Sequence, residues 1–397
     1  MVNIGIDLHK TQFTVCVRSR QRDKFEKYPT TQEGYQAFLK KAAVWQKAGE
    51  EVRVGVESTG NTRFFKSKME AAGIGVTVIN TLKLKVVTES VKKTDKHDAA
   101  TIAEFLEKDM LPESKLCSKQ SEKIRRLLKA RTTLVRAAVV VKNQIHALLT
   151  AEGLEDEKGS LQSKRGCQRV LNTLNEWENG LEAQPLVETI DRLKEDVKRI
   201  EGQIRGVVEE DRMVQLLMSI PGCGEISAWT IRAYTDDIKR FSSAKKYCSY
   251  AGLVPWVQNS NETIHHGKIT KRGPEELRTA LVQVVMGMRR MKKKTCGWRM
   301  MQRYEAMKKS KGSGKTITAT ARKLATIIWH MLSEDSEFDW GRMVQEKMAE
   351  KSESKSGTTR VVEEAIKAEP KKSAKTKNRK NEIKKTGVTG KKEKKVG

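Results

Sequence analysis

Aromatic residues are scarce, 5% of the chain, and hydrophobic residues of all kinds make up only 37%. So little apolar mass does not suit one large core. It suits several modest cores joined by long solvated helices. No apolar run approaches the roughly 20 residues that cross a bilayer, so no membrane partner is expected. The opening residues, MVNIGIDLHK, show no basic leader ahead of an apolar stretch, which argues against a signal peptide. The six cysteines (Cys16, Cys117, Cys167, Cys223, Cys248, Cys296) stand far apart, with no CxxC pair. That spacing excludes a zinc ribbon and offers no disulfide framework, leaving a cytoplasmic, nucleoid-associated protein as the expectation.

Positive charge is what the chain has in excess. Lys and Arg number 78 against 50 Asp and Glu, a formal net charge of +28 over 397 residues. A surplus of that size predicts a polyanionic partner, nucleic acid first. Residues 351–397 hold 16 Lys/Arg and 6 Asp/Glu, which leaves +18 on residues 1–350, so the surplus is not a property of the tail alone.

Four regions follow from the patterning. Residues 1–115 alternate strand and helix signals: a hairpin over 3–17 turning at 9–11, helices over 30–48, 61–72 and 93–108, and strands at 51–57 and 75–79. A mixed sheet with helices packed on it is expected. Residues 116–212 carry no strand signal. There Leu186, Ile190, Leu193, Val197, Ile200, Ile204 and Val207 repeat every 3.5 residues, the seam of a coiled coil. A stalk pairing two subunits is the favoured reading, and a helix folding against its own chain the alternative. Residues 213–345 read as mostly α-helical, broken by Gly/Pro punctuation, and residues 346–397 as a disordered basic tail.

Asp7 sits mid-strand in IGIDLH, where a carboxylate is costly unless something compensates it. Glu57 closes the strand VRVGVE, at the kind of strand end where α/β sheets present their sites. Asp95 and Asp98, in KTDKHDA, share a helix face, an N-cap role for Asp95 being the plainer alternative. Four converging carboxylates repel unless divalent cations neutralise them, and hard oxygen donors suit Mg²⁺ or Mn²⁺. Two such ions about 4 Å apart stabilise an in-line phosphoryl displacement. His9 and His97 flank the acids, and the sequence assigns neither a role.

Farther along, an apolar helix end, then Pro221-Gly222-Cys223-Gly224, then a second helix read as a helix-hairpin-helix. Gly222 and Gly224 would let backbone N–H groups approach a phosphate, a packed turn being the alternative. Ser260 reads as a loop serine followed by cations, Lys268, Lys271, Arg272 and Arg278, that suit a phosphodiester. Composition alone leaves it inert, since a hydroxyl needs activation to be a nucleophile. The run GSGKT at 312–316 is not a P-loop, because the position that needs the first glycine is Lys309 and no strand precedes it.

GIDLHK with Asp7, VGVESTG with Glu57 and KTDKHDA with Asp95 and Asp98 resemble the DEDD domain of the one-ten family of insertion-sequence transposases. IPGCGEISAWTI, AGLVP and GKITKRGPEELR resemble that family's C-terminal transposase domain, and the motifs keep their order over about residues 1–335. The resemblance implies a ribonuclease-H-like (RuvC-like) N-terminal domain binding Mg²⁺ through the four acids, long coiled-coil helices, and a helical domain whose nucleophilic serine maps to Ser260. The family commonly follows that serine with glycine, where this chain has Asn261. It further implies a structured noncoding bridge RNA that pairs with donor and target DNA, and homodimers assembling into homotetramers. The resulting expectation is an RNA-guided DNA recombinase working through a 5′-phosphoserine intermediate. The alternative is a hydrolytic metal-dependent nuclease, such as a junction resolvase, in which Ser260 is only a phosphate contact.

Overall fold

The structure is a computed structural model that describes residues 1–19, 22–81, 83–84, 94–154, 159–176, 180–260, 263–295 and 297–341. The basic tail expected at 346–397 lies outside the described residues.

The sheet is built from β1 (Val2–Leu8), β2 (Gln12–Ser19), β3 (Arg22–Pro29), β4 (Val52–Glu57) and β5 (Gly75–Ile79), in the order β3-β2-β1-β4-β5. β3, β2 and β1 run antiparallel, while β1, β4 and β5 run parallel. β1 is buried on both faces, as a central strand must be. Its even positions, Ile4, Ile6 and Leu8, join one core with Phe38 of α1 (Gln32–Lys47) and Phe65 of α2 (Thr62–Glu70). Its odd positions, Asn3, Gly5 and Asp7, face α3 (Asp95–Glu107), where Ala99 and Ala103 pack with Cys16 of β2. The strand β3, RDKFEKYP, gives no apolar alternation because it is an edge strand, and charge protects such edges from stray pairing.

Two long helices follow, α4 (Lys119–Ala151) and α6 (Gly180–Val208), with α5 (Lys164–Glu176) between them. They pack antiparallel. Ile124 and Leu128 share a core with Ile204 and Val208, Ile145 and Leu149 share another with Val187 and Ile190, and Arg131 Nε bonds Glu201 Oε1 at 2.7 Å between them. Both ends of the heptad seam expected to pair two subunits are therefore packed on α4 of the same chain, while Leu193 and Val197 between them are half-buried and join neither core. A repeat of 3.5 residues specifies an apolar stripe and says nothing of which helix covers it.

The last region holds α7 (Arg212–Met218), α8 (Glu225–Thr235), α9 (Ala244–Tyr250), the two-stranded ribbon β6 (Pro255–Ser260) and β7 (Thr263–Ile269), then α10 (Glu275–Arg290), α11 (Lys292–Thr295) and α12 (Arg299–Ser333). Trp229, Tyr247, Leu281, Val284, Tyr304 and Leu324 centre its core, which also takes in Ile124, Leu128, Ile204 and Val208. The near ends of α4 and α6 thus belong to this core, and no core boundary falls at residue 213. GSGKT lies within α12, kinked at Gly312 (φ 74°). Among the described residues no helix is long and apolar enough to cross a membrane.

Candidate functional site

Asp7 owes its surroundings to the glycine two residues before it. A Cβ on Gly5 would stand 2.0 Å from the Ala99 carbonyl oxygen and 2.4 Å from the Ala103 nitrogen, so α3 lies directly on the strand backbone. Gly55, the register partner of Gly5 on β4, is covered by side chains instead, a Cβ there meeting Ile102 Cγ2 at 2.8 Å and Leu111 Cδ1 at 3.0 Å. That close approach carries the first turn of α3 to the end of β1. Thr94 caps the helix, its hydroxyl accepting from the His97 N–H at 3.2 Å, so Asp95 is not the cap and its carboxylate is left for other work.

Three side chains converge there. The ligand atoms of Asp7, His9 and Asp95 all lie within 4.8 Å of one another. His9 Nε2 is 3.0 Å from Asp7 Oδ2 and 3.6 Å from Asp95 Oδ1, and Lys27 Nζ is 3.8 Å from Asp95 Oδ2. The His9 backbone is fixed in turn: its carbonyl accepts from Asn61 Nδ2 at 3.0 Å and from Thr30 Oγ1 at 3.3 Å. Burial pushes the Asp7 carboxyl above its ordinary value, His9 pulls it back, and the charges of Asp95 and Asp98 push it up further. Asp98 therefore acts on Asp7 through space without belonging to the close group. Glu57 closes the strand beside β1, one residue beyond the Ile6–Val56 pair, and is half-buried outside that group, with its carbonyl accepting from Thr62 Oγ1 at 2.7 Å. Of the four acids expected to converge, two belong to the close group, and its third member is His9.

The cations sit elsewhere. Ser260 is not in a loop, as composition suggested; it ends β6 and pairs with Thr263 of β7. Two glycines lock the foot of this ribbon. A Cβ on Gly252 would meet the Arg272 carbonyl oxygen at 2.7 Å, and one on Gly273 (φ 115°) the Tyr250 carbonyl oxygen at 1.9 Å. Arg278 serves the same joint, its Nη1 donating to the carbonyls of Ala251 and Lys271, both at 3.4 Å. Lys268, Lys271 and Arg272 are exposed. The turn at 221–224 departs from expectation too. Gly222 (φ 82°) is where α10 touches the turn, since a Cβ would stand 2.4 Å from the Met288 nitrogen. The close approach it permits is to a helix, which favours the packed-turn alternative for Gly222. Gly224 remains open as the exposed N-cap of α8, whose first-turn Glu225 is paired with Arg205 at 2.7 Å.

Comparison with known proteins agrees with this division. A model of the DEDD transposases of the IS110 type matches residues 4–152, and a second, described as the transposase IS116/IS110/IS902 family, matches residues 214–299. This chain belongs to the IS110 family of transposases. The first match contains Asp7, Glu57, Asp95 and Asp98, and the second the Gly222 turn and the Ser260 ribbon. The transposase is 26% identical to the transposase of insertion sequence IS1111A from Coxiella burnetii, over 85% of this chain and 91% of that protein. A probable family 20 transposase of Pseudomonas aeruginosa is 25% identical over 71% and 84% of the two chains. A pilin gene-inverting protein of Moraxella bovis is 24% identical over 85% and 97%. The transposase is thus an enzyme that cuts and rejoins DNA.

Proposed function

We propose that this transposase moves its insertion sequence as an RNA-guided serine recombinase, with Ser260 as nucleophile and a divalent cation at the acids. The convergence of Asp7 and Asp95 at the end of a central strand carries the reading. The strand order, antiparallel on one side of β1 and parallel on the other, supports a ribonuclease-H-like domain. The donor set fits a hard cation: a buried carboxylate held above its ordinary pKa by burial and by two neighbouring acids is a site that a positive ion relieves. Asp7 and Asp95 would hold Mg²⁺ or Mn²⁺, with Glu57 and Asp98 as the remaining acids. Bound there, such an ion supplies Lewis-acid stabilisation of negative charge on the phosphate.

Ser260 Oγ would attack the scissile phosphorus. The Oγ–P bond forms, the P–O3′ bond breaks, the serine proton is lost, and the departing 3′ oxygen takes one up. The 5′-phosphoserine keeps the energy of the phosphodiester, so rejoining needs no nucleotide hydrolysis, in keeping with a GSGKT run that is helical. Lys268, Lys271 and Arg272 are the exposed cations to hold phosphates beside it, with the open N-terminus of α8 at Gly224 as a further phosphate contact. The charge of +28 suits a protein that carries both DNA and a guide RNA, in a dimer that assembles into a tetramer.

The test is the covalent adduct. Stalled reactions on labelled nicked DNA, run on denaturing gels, should show protein-linked DNA for the parent and none for Ser260→Ala. Mass spectrometry should place the link on the peptide containing Ser260. Cleavage by the alanine variant at the parental rate, with free 5′-phosphate ends, would rule out the recombinase and leave a hydrolytic metal nuclease.

A further inference from the structure

Among the described residues the tryptophans other than Trp256 are occupied. Trp229 and Trp298 are 1% and 2% exposed, Trp329 donates its indole N–H to the Phe241 carbonyl at 3.0 Å, and Trp45 packs against the sheet core. Trp340 is 45% exposed but lies edge-on to Trp298, ring centroids 5.0 Å apart. Trp256 is 50% exposed and, among the described residues, stacks on no other ring. It stands on β6, four residues before Ser260, or about 13 Å at the rise of an extended strand.

The ribbon holds its indole in place. The ladder pairs Val257 with His266 and Pro255 with Ile269, so Trp256 alone faces two residues of β7, Gly267 and Lys268. This is a β-bulge, a device that re-aims one side chain. A Cβ on Gly267 would come within 3.0 Å of Trp256 Cε3; the glycine lets the ring rest against the strand backbone while half its surface stays in solvent. The stretch of chain around it is mainly basic. Residues 251–273 contain Lys268, Lys271 and Arg272 against the single acid Glu262, and among the described residues none of the three cations forms an ion pair.

A large aromatic face, braced on one side and open on the other, with exposed cations on the same strand pair and at its foot, fits a nucleobase with its phosphates. The base must be unpaired, because both faces of a base inside a duplex are already covered by its neighbours. We infer that Trp256 is a stacking platform for an unpaired base of the DNA strand, with Lys268, Lys271 and Arg272 gripping that strand's phosphates. The inference needs the ribbon to meet DNA and does not need Ser260 to attack it, so a binding assay separates it from the recombinase mechanism.

The experiment is fluorescence anisotropy of the full chain with a labelled 12-nucleotide oligo-dT and with a blunt duplex of the same length. About 0.3 M salt suppresses the purely electrostatic contribution of the Lys-rich tail. Trp256→Ala should weaken oligo-dT about ten-fold, the usual worth of one stacked base, and leave the duplex unchanged. Trp256→Phe should stay within about three-fold of the parent, because it keeps an aromatic face. Gly267→Val leaves the indole in the chain but crowds its resting face, and should weaken oligo-dT as well. The salt slope should not move in any of these variants, whereas Lys271→Ala should flatten it by about 0.7. Parental oligo-dT affinity in Trp256→Ala, or an equal loss on the duplex, would overturn the assignment. So would a change in sedimentation state with DNA affinity intact, which would make Trp256 a protein contact.

Discussion

Asp7 is 5% exposed on a strand covered on both faces, whereas Lys268 stands in solvent on a two-stranded ribbon and Lys271 and Arg272 stand exposed just past its end. The two regions gather charge of opposite sign, and each framework suits its sign. Carboxylates brought together repel, so they separate unless rigid elements hold them. Here α3 is pressed onto β1 through Gly5, and the His9 backbone is tied by Asn61 and Thr30. Cations that meet a polyanion have no such difficulty. Their partner draws them in, so exposed positions on the ribbon and at its foot suffice. The stored electrostatic cost therefore sits in the sheet, and the exposed positive charge in and beside the ribbon.

The largest break in that comparison is Asp7→Asn. Cleavage should fall by about a hundred-fold or more, since even groups that merely support a metal ligand cost that much. Stability should move the other way. A carboxyl whose folded pKa is raised opposes folding once ionised. The penalty is absent below its unfolded value, near 3.8, and grows as pH rises through the folded one. In chelator at pH 7, Asp7→Asn should melt at or above the parent, and the two should converge in acid. A variant that melts lower at neutral pH would mean that Asp7 is not under repulsion.

Gly5→Ala tests the framework instead of the charge. Its methyl meets backbone atoms of α3, which cannot rotate away, so denaturant titration should show a loss of about 3 kcal/mol, at the upper end of overpacking costs. Gly60→Ala, whose Cβ would touch nothing within 4 Å, should change stability by under about 0.5 kcal/mol. Equal losses at the two positions would contradict the close seating of α3.

The sheet was legible because burial imposes alternation: Ile4, Ile6 and Leu8 mark one face of β1, and the turn between β1 and β2 falls where the apolar pattern breaks. The acids were legible because a carboxylate inside such a pattern is anomalous. Gly5 was not, since its reason is a helix that arrives ninety residues later. β3 was hidden by the charge that protects an edge, and the ribbon of β6 and β7 by lying in a stretch of polar residues bounded by glycines. The seam of α6 was read correctly as apolar, but its covering helix lies some sixty residues back along the same chain. His9 needed the third dimension, because only Asp95 and Asp7 together distinguish it from a surface histidine.

The smallest effect probes the start of α4, where the chain passes from the sheet region into the helical core. Asp236 ends α8 and receives the backbone N–H of Ser118, which caps α4 just beyond the sheet, together with the hydroxyls of Ser118 and Ser121, both at 2.6 Å. Burial alone would raise its carboxyl, but these donors and the buried Arg232 guanidinium outweigh it and hold the group below the ordinary range. Asn tolerates the positive φ that Asp236 adopts, so Asp236→Asn changes charge with little backbone cost. At pH 7 the loss should be about 1 kcal/mol, the scale of charge-assisted hydrogen bonds discounted for solvent screening. A lowered folded pKa contributes stability that is complete above the unfolded value, near 3.8, and disappears as pH falls through the folded one. Urea titrations at pH 7 and pH 3 should therefore show the gap between parent and variant closing in acid, the reverse of the order expected for Asp7→Asn. A gap that stays constant would assign the joint to shape alone. A gap that closes, with oligo-dT affinity unchanged, would show that this carboxylate fastens the start of α4 to α8 without taking part in DNA contact.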